Sequence, residues 1–114
     1  MILVNKTIDF KAEKVEMSPD SRIISIVCTI QGVKVQLVNV YAFSGNNKNT
    51  ERDEMFEKDL LFYLRFNIEN SYIAGDWNCI INNKDVSTPG SIQVSKSLLK
   101  VMRDTKFSDV WHTY

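Results

Sequence analysis

The chain has few residues of the kinds that build metal clusters, disulfide frameworks or membrane spans. It contains one histidine and two cysteines, Cys28 and Cys79, in 114 residues. The cysteines lie far apart in apolar runs, without the CxxC spacing or histidine partners of a zinc site, so we expect two buried thiols in a reducing compartment. No apolar run is long enough to cross a bilayer, and the apolar residues 1–4 are too few for a secretion signal. These absences favour an intracellular protein with no membrane partner.

The chain also lacks net charge. Lys and Arg together number 14, and Asp and Glu together number 14. A neutral chain with no block of like charge has no long-range field toward a polyanion, so nucleic-acid binding would depend on a local site. The composition is 44% hydrophobic and 25% charged, which is typical of a folded globular protein. The length is that of one domain, so we treat residues 1–114 as one unit.

Alternating apolar residues predict strands in the first third of the chain. Residues 7–17 alternate but lose their phase near Lys14, and residues 18–21 have the composition of a turn. Residues 22–30 and 33–41 are rich in β-branched side chains. The Gln-Gly pair between these two runs is typical of a tight antiparallel hairpin.

The rest of the chain predicts two helices and one further strand. Thr50 is expected to cap a helix, because acidic residues follow it in the first turn. The short apolar run at residues 71–75 predicts a central strand that opens into a polar turn. Ser95 is expected to cap the second helix. The side chains expected to face inward from that helix are Leu98, Leu99, Val101 and Met102.

Several motifs follow one another in a fixed order. Residues 39–42 read N-V-Y-A at the end of a predicted strand, Arg52 lies early in the following helix, and residues 73–79 read I-A-G-D-W-N-C. An S-K pair at residues 95–96 and D-V-W at residues 109–111 come later. This order and spacing resemble the endonuclease/exonuclease/phosphatase superfamily, most closely its LINE-type retrotransposon branch of apurinic-endonuclease-like domains. That branch has an N-V-Y-A strand, a helix with an early Arg and then G-D-F-N.

The resemblance extends from about Asp20 onward and depends on the whole set of motifs. Trp77 stands where the family usually has Phe, which is a conservative aromatic change. A lone G-D-x-N is weak evidence, because an Asx-type turn has the same composition. The ordered set is much less expected by chance.

The resemblance implies part of a four-layer α/β/β/α sandwich. This chain would be a central fragment of that domain, spanning residues 1–114, and would supply one mixed or antiparallel sheet with two helices on its outer face, an α/β (α+β) arrangement. The inner face of the sheet would then be partly uncovered. An uncovered apolar face predicts self-association or dependence on the missing parts of the domain.

The resemblance also implies roles for three side chains in phosphodiester hydrolysis, which needs an activated water and donors aimed at the developing charge. Asp76, by its match to G-D-x-N, would orient and deprotonate the attacking water or help to bind Mg²⁺. Asn78 would hold that water or a phosphate oxygen. Tyr41, by its match to N-V-Y-A, would give its hydroxyl to a phosphate oxygen. Without the motif, Tyr41 would be interpreted as an aromatic residue at a sheet edge with a solvated hydroxyl.

Three further residues have competing interpretations. Asn39 shares a face with Tyr41 and would support the site, or it would satisfy a neighbouring strand or loop. Arg52 would reach a phosphate, or it would form a solvated ion pair beside its acidic neighbours. His112 is the sole histidine. It follows the D-V-W element rather than the later segment that carries the family's catalytic His, so we interpret it as a surface or packing residue.

The family's metal-binding Asn and Glu, a further Asp and the final Asp-His pair have no match in this chain. We therefore expect an incomplete Mg²⁺ site and a truncated, inactive piece of a LINE-type DNA endonuclease. The complete protein would act on DNA in the nucleus and would carry a reverse transcriptase domain in its parent polyprotein. Two alternatives stay open: a non-catalytic folded remnant or interaction module, and a phosphatase of the same superfamily.

Overall fold

The chain folds around a four-stranded mixed sheet with helices packed against one face. The structure is a computed structural model and describes residues 1–65, 67–82, 84 and 94–110. The strand order is β1-β2-β3-β4, with antiparallel pairing between the first three strands and parallel pairing between β3 and β4. The predicted α/β class and mixed sheet are confirmed. The strands are β1 (Phe10–Met17), β2 (Ile23–Ile30), β3 (Val33–Tyr41) and β4 (Asn70–Asp76).

The first three strands follow from local sequence. Gln31 and Gly32 both have positive φ, 49° and 81°, which is the conformation that joins two strands in a tight hairpin, so the predicted hairpin is confirmed. The loss of phase near Lys14 is a β-bulge, since the β1–β2 register shifts between Ala12 and Lys14. One extra residue on β1 therefore keeps Val15 and Met17 on the same face as Phe10 and Ala12, although the alternation in the sequence changes phase.

The first helical segment begins one residue before the predicted N-cap. A 3₁₀ turn (Asn46–Lys48) leads into α1 (Asn49–Glu54), and a wider π-helical stretch (Met55–Leu60) continues into α2 (Leu61–Tyr63). The prediction of Thr50 as N-cap is wrong, because the cap position falls on Lys48 and makes no side-chain bond. The 3₁₀ turn brings the backbone into helical geometry before Thr50, so no side-chain oxygen is needed to start the helix.

The second helix, α3 (Lys96–Thr105), starts as predicted. The Ser95 hydroxyl accepts a hydrogen bond from the Leu98 amide at 3.1 Å, which confirms Ser95 as the N-cap. Leu98 and Val101 are buried, but Leu99 is 39% exposed, so its predicted inward orientation is wrong. Leu99 directly follows Leu98, and two consecutive residues of a helix lie about 100° apart around its axis.

The core lies between the sheet and these helices. Phe56, Met55 and Leu60 of the π-helical stretch are at most 2% exposed. They pack against the sheet and against Leu98 and Val101 of α3. Burying each such side chain stabilises the fold by about 1.5–3 kcal/mol, so the helices are held to the sheet mainly by this cluster. The sheet contributes Ile23, Val38 and Val40 to the same cluster.

A buried glutamine joins the sheet to the end of the first helical segment. Gln36 on β3 is 0% exposed. Its amide nitrogen donates to the Ser25 hydroxyl at 2.8 Å and to the Tyr63 carbonyl at 2.6 Å, and its amide oxygen accepts from the Arg65 backbone amide at 2.8 Å. Gln36 therefore satisfies the Tyr63 carbonyl at the end of the helix and the Arg65 amide that follows it. Arg65 also forms an ion pair with Glu16 of β1.

The face of the sheet opposite the helices, here called the open face, exposes apolar side chains. On this face Val15, Met17, Val33, Tyr41 and Tyr72 are between 48% and 61% exposed. β4, predicted as a central strand, pairs with β3 alone among the described strands, so it is an edge strand there. The open face agrees with the uncovered inner face expected from the sequence, and self-association through it stays a prediction. None of the described helices has the length and apolar character needed to cross a membrane.

Gly75 allows β4 to lie close to β3 at its carboxyl end. Its φ is +148°, and a Cβ at this position would lie 1.9 Å from the Val40 carbonyl oxygen. Backbone atoms of a neighbouring strand cannot move aside as the end of a flexible side chain can. Only glycine is therefore compatible with the observed pairing just before Asp76.

Gly75→Ala is expected to lower the free energy of unfolding by about 3 kcal/mol, because the new methyl group would force β4 away from β3. Gly32→Ala is the matched control, since Gly32 also has a positive φ but no heavy atom within 4 Å of an added Cβ. That control should cost about 1 kcal/mol through backbone strain alone. Urea unfolding followed by circular dichroism measures both values, and equal losses would contradict the steric argument.

Candidate active site

Two of the predicted catalytic residues lie side by side at the ends of parallel strands. The β3–β4 register pairs Tyr41 with Asp76 and Asn39 with Ala74. Residues in register on adjacent strands point to the same face, so the Tyr41 and Asp76 side chains both project from the open face. Tyr41 is 53% exposed, and Asp76 is exposed as well. The carboxyl ends of parallel strands are where α/β proteins commonly bind ligands.

Asp76 and Asn78 form a turn directly after β4. The Asp76 carboxylate oxygen Oδ1 accepts a hydrogen bond from the Asn78 backbone amide at 3.1 Å. This bond forms the Asx turn that the composition of G-D-x-N also predicts. A carboxylate has about four lone-pair sites, so this bond leaves Asp76 able to accept a proton. The turn and a catalytic role are therefore compatible.

The Asn78 side chain ties this turn to the end of β3. Its amide nitrogen donates to the Ala42 carbonyl at 2.8 Å, and the Ala42 amide donates to the Asp76 carbonyl at 2.8 Å. Asn78 has a φ of 48°, a left-handed conformation that asparagine tolerates better than most residues. Since Ala42 directly follows Tyr41, these bonds set the position of Tyr41 relative to Asp76. The predicted contact of Asn78 with water or phosphate stays a prediction.

Arg52 is buried and holds the loop after β3. It is 5% exposed, and its guanidinium donates to the Phe43 carbonyl at 2.6 Å, to the Gly45 carbonyl at 3.3 Å and to the Asn49 side chain. The interpretation of Arg52 as part of a solvated ion pair is therefore wrong. The planar guanidinium has several donors, and the backbone carbonyls of a loop that turns away from the sheet are suitable acceptors. Arg52 thus positions the chain that follows Tyr41.

Asn39 lies on the open face, half-buried, two residues before Tyr41. Its amide nitrogen donates to the Met1 carbonyl at 3.4 Å, which is a long hydrogen bond. This contact corresponds to the alternative in which Asn39 satisfies a neighbouring segment. Support of the site by Asn39 stays a prediction.

Arg22, which no sequence motif singles out, lies on the other side of Tyr41. The Tyr41 amide donates to the Arg22 carbonyl at 2.8 Å. The Arg22 guanidinium lies 3.9 Å from the Phe43 ring centre and 5.3 Å from the Tyr41 ring centre. Arg22, Tyr41 and Asp76 therefore form one row across three strands, here called the strand-end row. If the pairing of the predicted hairpin is extended outward by one residue on each strand at a time, position 22 lies opposite position 41. The register of the hairpin therefore predicts this neighbour.

Asp20 lies next to Arg22 in the turn before β2. Its carboxylate lies 3.8 Å from the Arg22 Nε atom and accepts hydrogen bonds from the Ser18 hydroxyl at 2.7 Å and the Arg22 amide at 3.2 Å. Burial acts to raise the pKa of Asp20, but the hydrogen bonds from Ser18 and Arg22 and the Arg22 charge together lower it below the ordinary value of 3.8. The carboxylate is therefore ionised at neutral pH.

The two cysteines are not activated nucleophiles. Burial raises the pKa of both thiols; for Cys79 the charges of Asp53 and Asp76 add to this effect, while Arg52 and Ser95 oppose it. The Cys28 thiol is buried and donates to the Val35 carbonyl at 3.6 Å, as expected for a structural cysteine. Both residues are free thiols, and Cys79 is only partly buried.

The described residues do not provide a Mg²⁺ site. Within them, no group of three His, Cys, Asp or Glu residues is placed to hold a metal ion. In the strand-end row Asp76 is the single carboxylate, and its Oδ1 atom already accepts a hydrogen bond. Mg²⁺ needs near-octahedral oxygen ligands, commonly one or two carboxylates with substrate phosphates and water. Asp76 and its neighbours do not fit such an ion by themselves.

An apolar cavity of 560 Å³ lies beside β4, and Gly75 and Trp77, the two neighbours of Asp76 in the chain, are among its lining residues. Its walls come from β4, from residues 77–81 and from the segment between Leu98 and Val110. Tyr41 and Asp76 do not line it. The cavity therefore adjoins the candidate active site without including its two proposed reacting side chains.

Comparisons with known proteins support the fold. No protein-family model matches the chain, and no curated protein matches it. The crystal structure of truncated Caenorhabditis elegans TDP2 is similar, with a TM-score of 0.50 and 22% sequence identity. The match covers 72% of this chain and 36% of the TDP2 chain. TDP2 has the endonuclease/exonuclease/phosphatase fold, so the chain has part of a fold of that kind.

Asn78→Asp is expected to cost about 1–3 kcal/mol of stability, because a carboxylate oxygen would face the Ala42 carbonyl where the amide now donates. Asn78→Gly is the matched control: it keeps the positive φ and loses only the hydrogen bond, about 1 kcal/mol. Thermal unfolding measures the loss of stability in both variants. If the two variants lose the same stability, the bond to Ala42 does not hold the turn.

Asp20→Asn is expected to flatten the acid limb of the stability curve. Because folding lowers the pKa of Asp20 below 3.8, its contribution is present above the unfolded-state value and is lost as pH falls through the folded-state value. Wild type should therefore lose stability relative to Asp20→Asn as the pH falls below 3.8. Denaturant midpoints of wild type and Asp20→Asn across the acid pH range measure this difference in stability. If the two curves of stability against pH run parallel, the lowered pKa of Asp20 is not the cause.

Proposed function

We propose that this chain is part of a domain that hydrolyses phosphodiester bonds in DNA, with the strand-end row in its active site. The pairing of Tyr41 with Asp76 on the open face is the observation that carries the proposal. The likeness to TDP2, a phosphodiesterase of the endonuclease/exonuclease/phosphatase superfamily, supports the same chemistry. The order of the sequence motifs supports the same proposal.

Each side chain has a task that its position permits. The exposed Asp76 carboxylate accepts the proton of an attacking water, and Tyr41 donates its hydroxyl to a phosphate oxygen from the same face. Asn78 acts first as a positioning residue through its bond to the Ala42 carbonyl. Arg52 holds the loop after Tyr41 through the Phe43 and Gly45 carbonyls. The chemical groups are thus carried by two strand ends, and their relative position is set by the turn and the loop.

The metal and the remaining groups would belong to the complete domain. We propose Mg²⁺ dependence from the family resemblance, and no step above depends on the ion, because the described residues do not hold it. The matched region covers 36% of the TDP2 chain, which fits a part of a larger domain. By itself, the chain should hydrolyse DNA weakly, since loss of each charge-neutralising or protonating group costs orders of magnitude in rate.

We further propose that the complete protein is a LINE-type endonuclease. The N-V-Y-A, G-D-W-N and D-V-W motifs support this branch. The proposed partners are DNA and a reverse transcriptase domain in the parent polyprotein, and the proposed location is the nucleus. A non-catalytic remnant is the second candidate, supported by the lack of a metal-holding cluster among the described residues.

Plasmid nicking with Mg²⁺ tests the proposal. The proteins compared are this chain, a version extended by the neighbouring coding sequence, and the extended Asp76→Ala and Asp59→Ala variants. Asp59 is an exposed carboxylate on the first helical segment and serves as the matched control. We expect the extended wild type and Asp59→Ala to nick DNA, and Asp76→Ala to lose about 10³-fold in rate.

The contrary result is also informative. An extended wild type that folds, as judged by circular dichroism, but does not nick DNA would overturn the catalytic proposal in favour of the remnant. Equal nicking by the extended wild type and Asp76→Ala would remove Asp76 from the mechanism.

A further inference from the structure

Arg22 is the member of the strand-end row to which the proposed chemistry assigns no task. The row is built by backbone pairing, because the Tyr41 amide donates to the Arg22 carbonyl and Tyr41 is in register with Asp76. A cation, a phenol and a carboxylate therefore lie next to one another at one end of the sheet. Such an arrangement suits an anionic ligand that extends across the strands.

The guanidinium of Arg22 is held in place but not enclosed. One flat face lies on the Phe43 ring at 3.9 Å, and the Nη1 atom donates to the Tyr41 carbonyl at 3.3 Å. The side chain keeps 26% of its surface exposed. Stacking and a fixed hydrogen bond reduce the freedom of a long side chain, so less entropy is lost when its other donors bind an anion.

Arg22 also differs from the other arginine near Tyr41. Arg52 is 5% exposed, and its donors are directed to the loop after β3. In a chain with zero net charge, the attraction of DNA has to come from such local cations. Arg22 supplies a partly exposed cation in the strand-end row.

The spacing of the strands separates Arg22 from the reacting centre. Neighbouring strands lie about 4.8 Å apart, so the backbone of Arg22 is about 10 Å from that of Asp76, with Tyr41 between them. A phosphate in contact with Asp76 therefore lies two strands away from the backbone of Arg22, and the guanidinium itself lies against the Tyr41 and Phe43 rings. The next phosphate along a DNA strand is a better match.

We propose that Arg22 binds a DNA backbone phosphate next to the one that is hydrolysed. This inference rests on the proposed function and assigns a substrate-binding contact to the same site. The contact positions the DNA strand without reading its sequence, because a phosphate carries no base identity. Asp20, ionised and 3.8 Å from the Arg22 Nε atom, competes with that phosphate for the guanidinium.

DNA binding without hydrolysis tests this contact. Fluorescence anisotropy of a labelled DNA duplex, in EDTA and over a range of salt concentrations, is compared for wild type, Arg22→Gln, Arg22→Lys, Asp20→Asn and Lys34→Gln. Lys34 is the matched control, because it is exposed at the opposite end of β3 and its loss removes the same charge. Circular dichroism checks that each variant is folded.

We expect Arg22→Gln to weaken binding about tenfold and to reduce the slope of log K against log salt by about 0.9, with Lys34→Gln leaving both unchanged. Arg22→Lys should restore the slope but only part of the affinity, because lysine keeps the charge and loses the planar fork. Asp20→Asn should bind more tightly than wild type. That gain separates a phosphate contact from a structural role, for which loss of the Asp20–Arg22 pair would weaken binding.

The proposal is overturned by any of three results: no DNA binding by folded wild type, the same salt slope in Arg22→Gln and Lys34→Gln, or weaker binding by Asp20→Asn. If Arg22→Gln does not fold, Arg22→Lys decides the question, because the loss of the planar fork at constant charge is not a general charge effect. These outcomes are independent of hydrolysis. The extended protein could nick DNA through Asp76 without a contact from Arg22, and Arg22 could bind DNA in a domain that does not nick it.

Discussion

The parallel pairing of β3 and β4 at their carboxyl ends is the constraint on which the candidate site depends. Gly75 makes it possible, because a side chain there would overlap the Val40 carbonyl. The pairing then continues through the Ala42–Asp76 backbone bond and the Asn78–Ala42 side-chain bond. Tyr41 and Asp76 are adjacent as a result, although 34 residues lie between them in the chain. The glycine of the G-D-x-N motif thus has a steric role, while the role proposed for the aspartate is chemical.

Buried polar side chains fix the segments that surround this pairing. Gln36 joins the centre of β3 to the end of the first helical segment, and Arg52 joins the start of that segment to the loop after β3. Both side chains are at most 5% exposed and make several hydrogen bonds, so breaking either set would leave polar groups unsatisfied in the core. The helical connection between β3 and β4 is therefore attached at both ends. This attachment limits how far the two strand ends can move relative to each other.

Local patterns predicted local structure well. The hairpin, the loss of phase in β1 and the Ser95 cap each depend on a few neighbouring residues, and each is confirmed. The errors arose where the geometry of the loop before the helix competes with the preference of single residues. Thr50 is not a cap because a 3₁₀ turn precedes it. Arg52 is not solvated because loop carbonyls seven and nine residues before it accept its donors. Neither competing contact has a periodic pattern that could be read from the chain.

The sequence alone determined the elements, their α/β class and the motif residues Tyr41, Asp76 and Asn78, because periodicity and turn composition act over short distances. The tertiary structure decided which of these residues meet. It placed Tyr41 beside Asp76, used the Asn78 amide to hold the end of β3, and brought Arg22 into the same row. It also left part of one face of the sheet exposed, although Cys28 and Val35 on that face are buried, and it placed β4 at the edge of the described sheet. Strand order and long-range register depend on how the whole chain packs, and no short stretch of sequence contains that information.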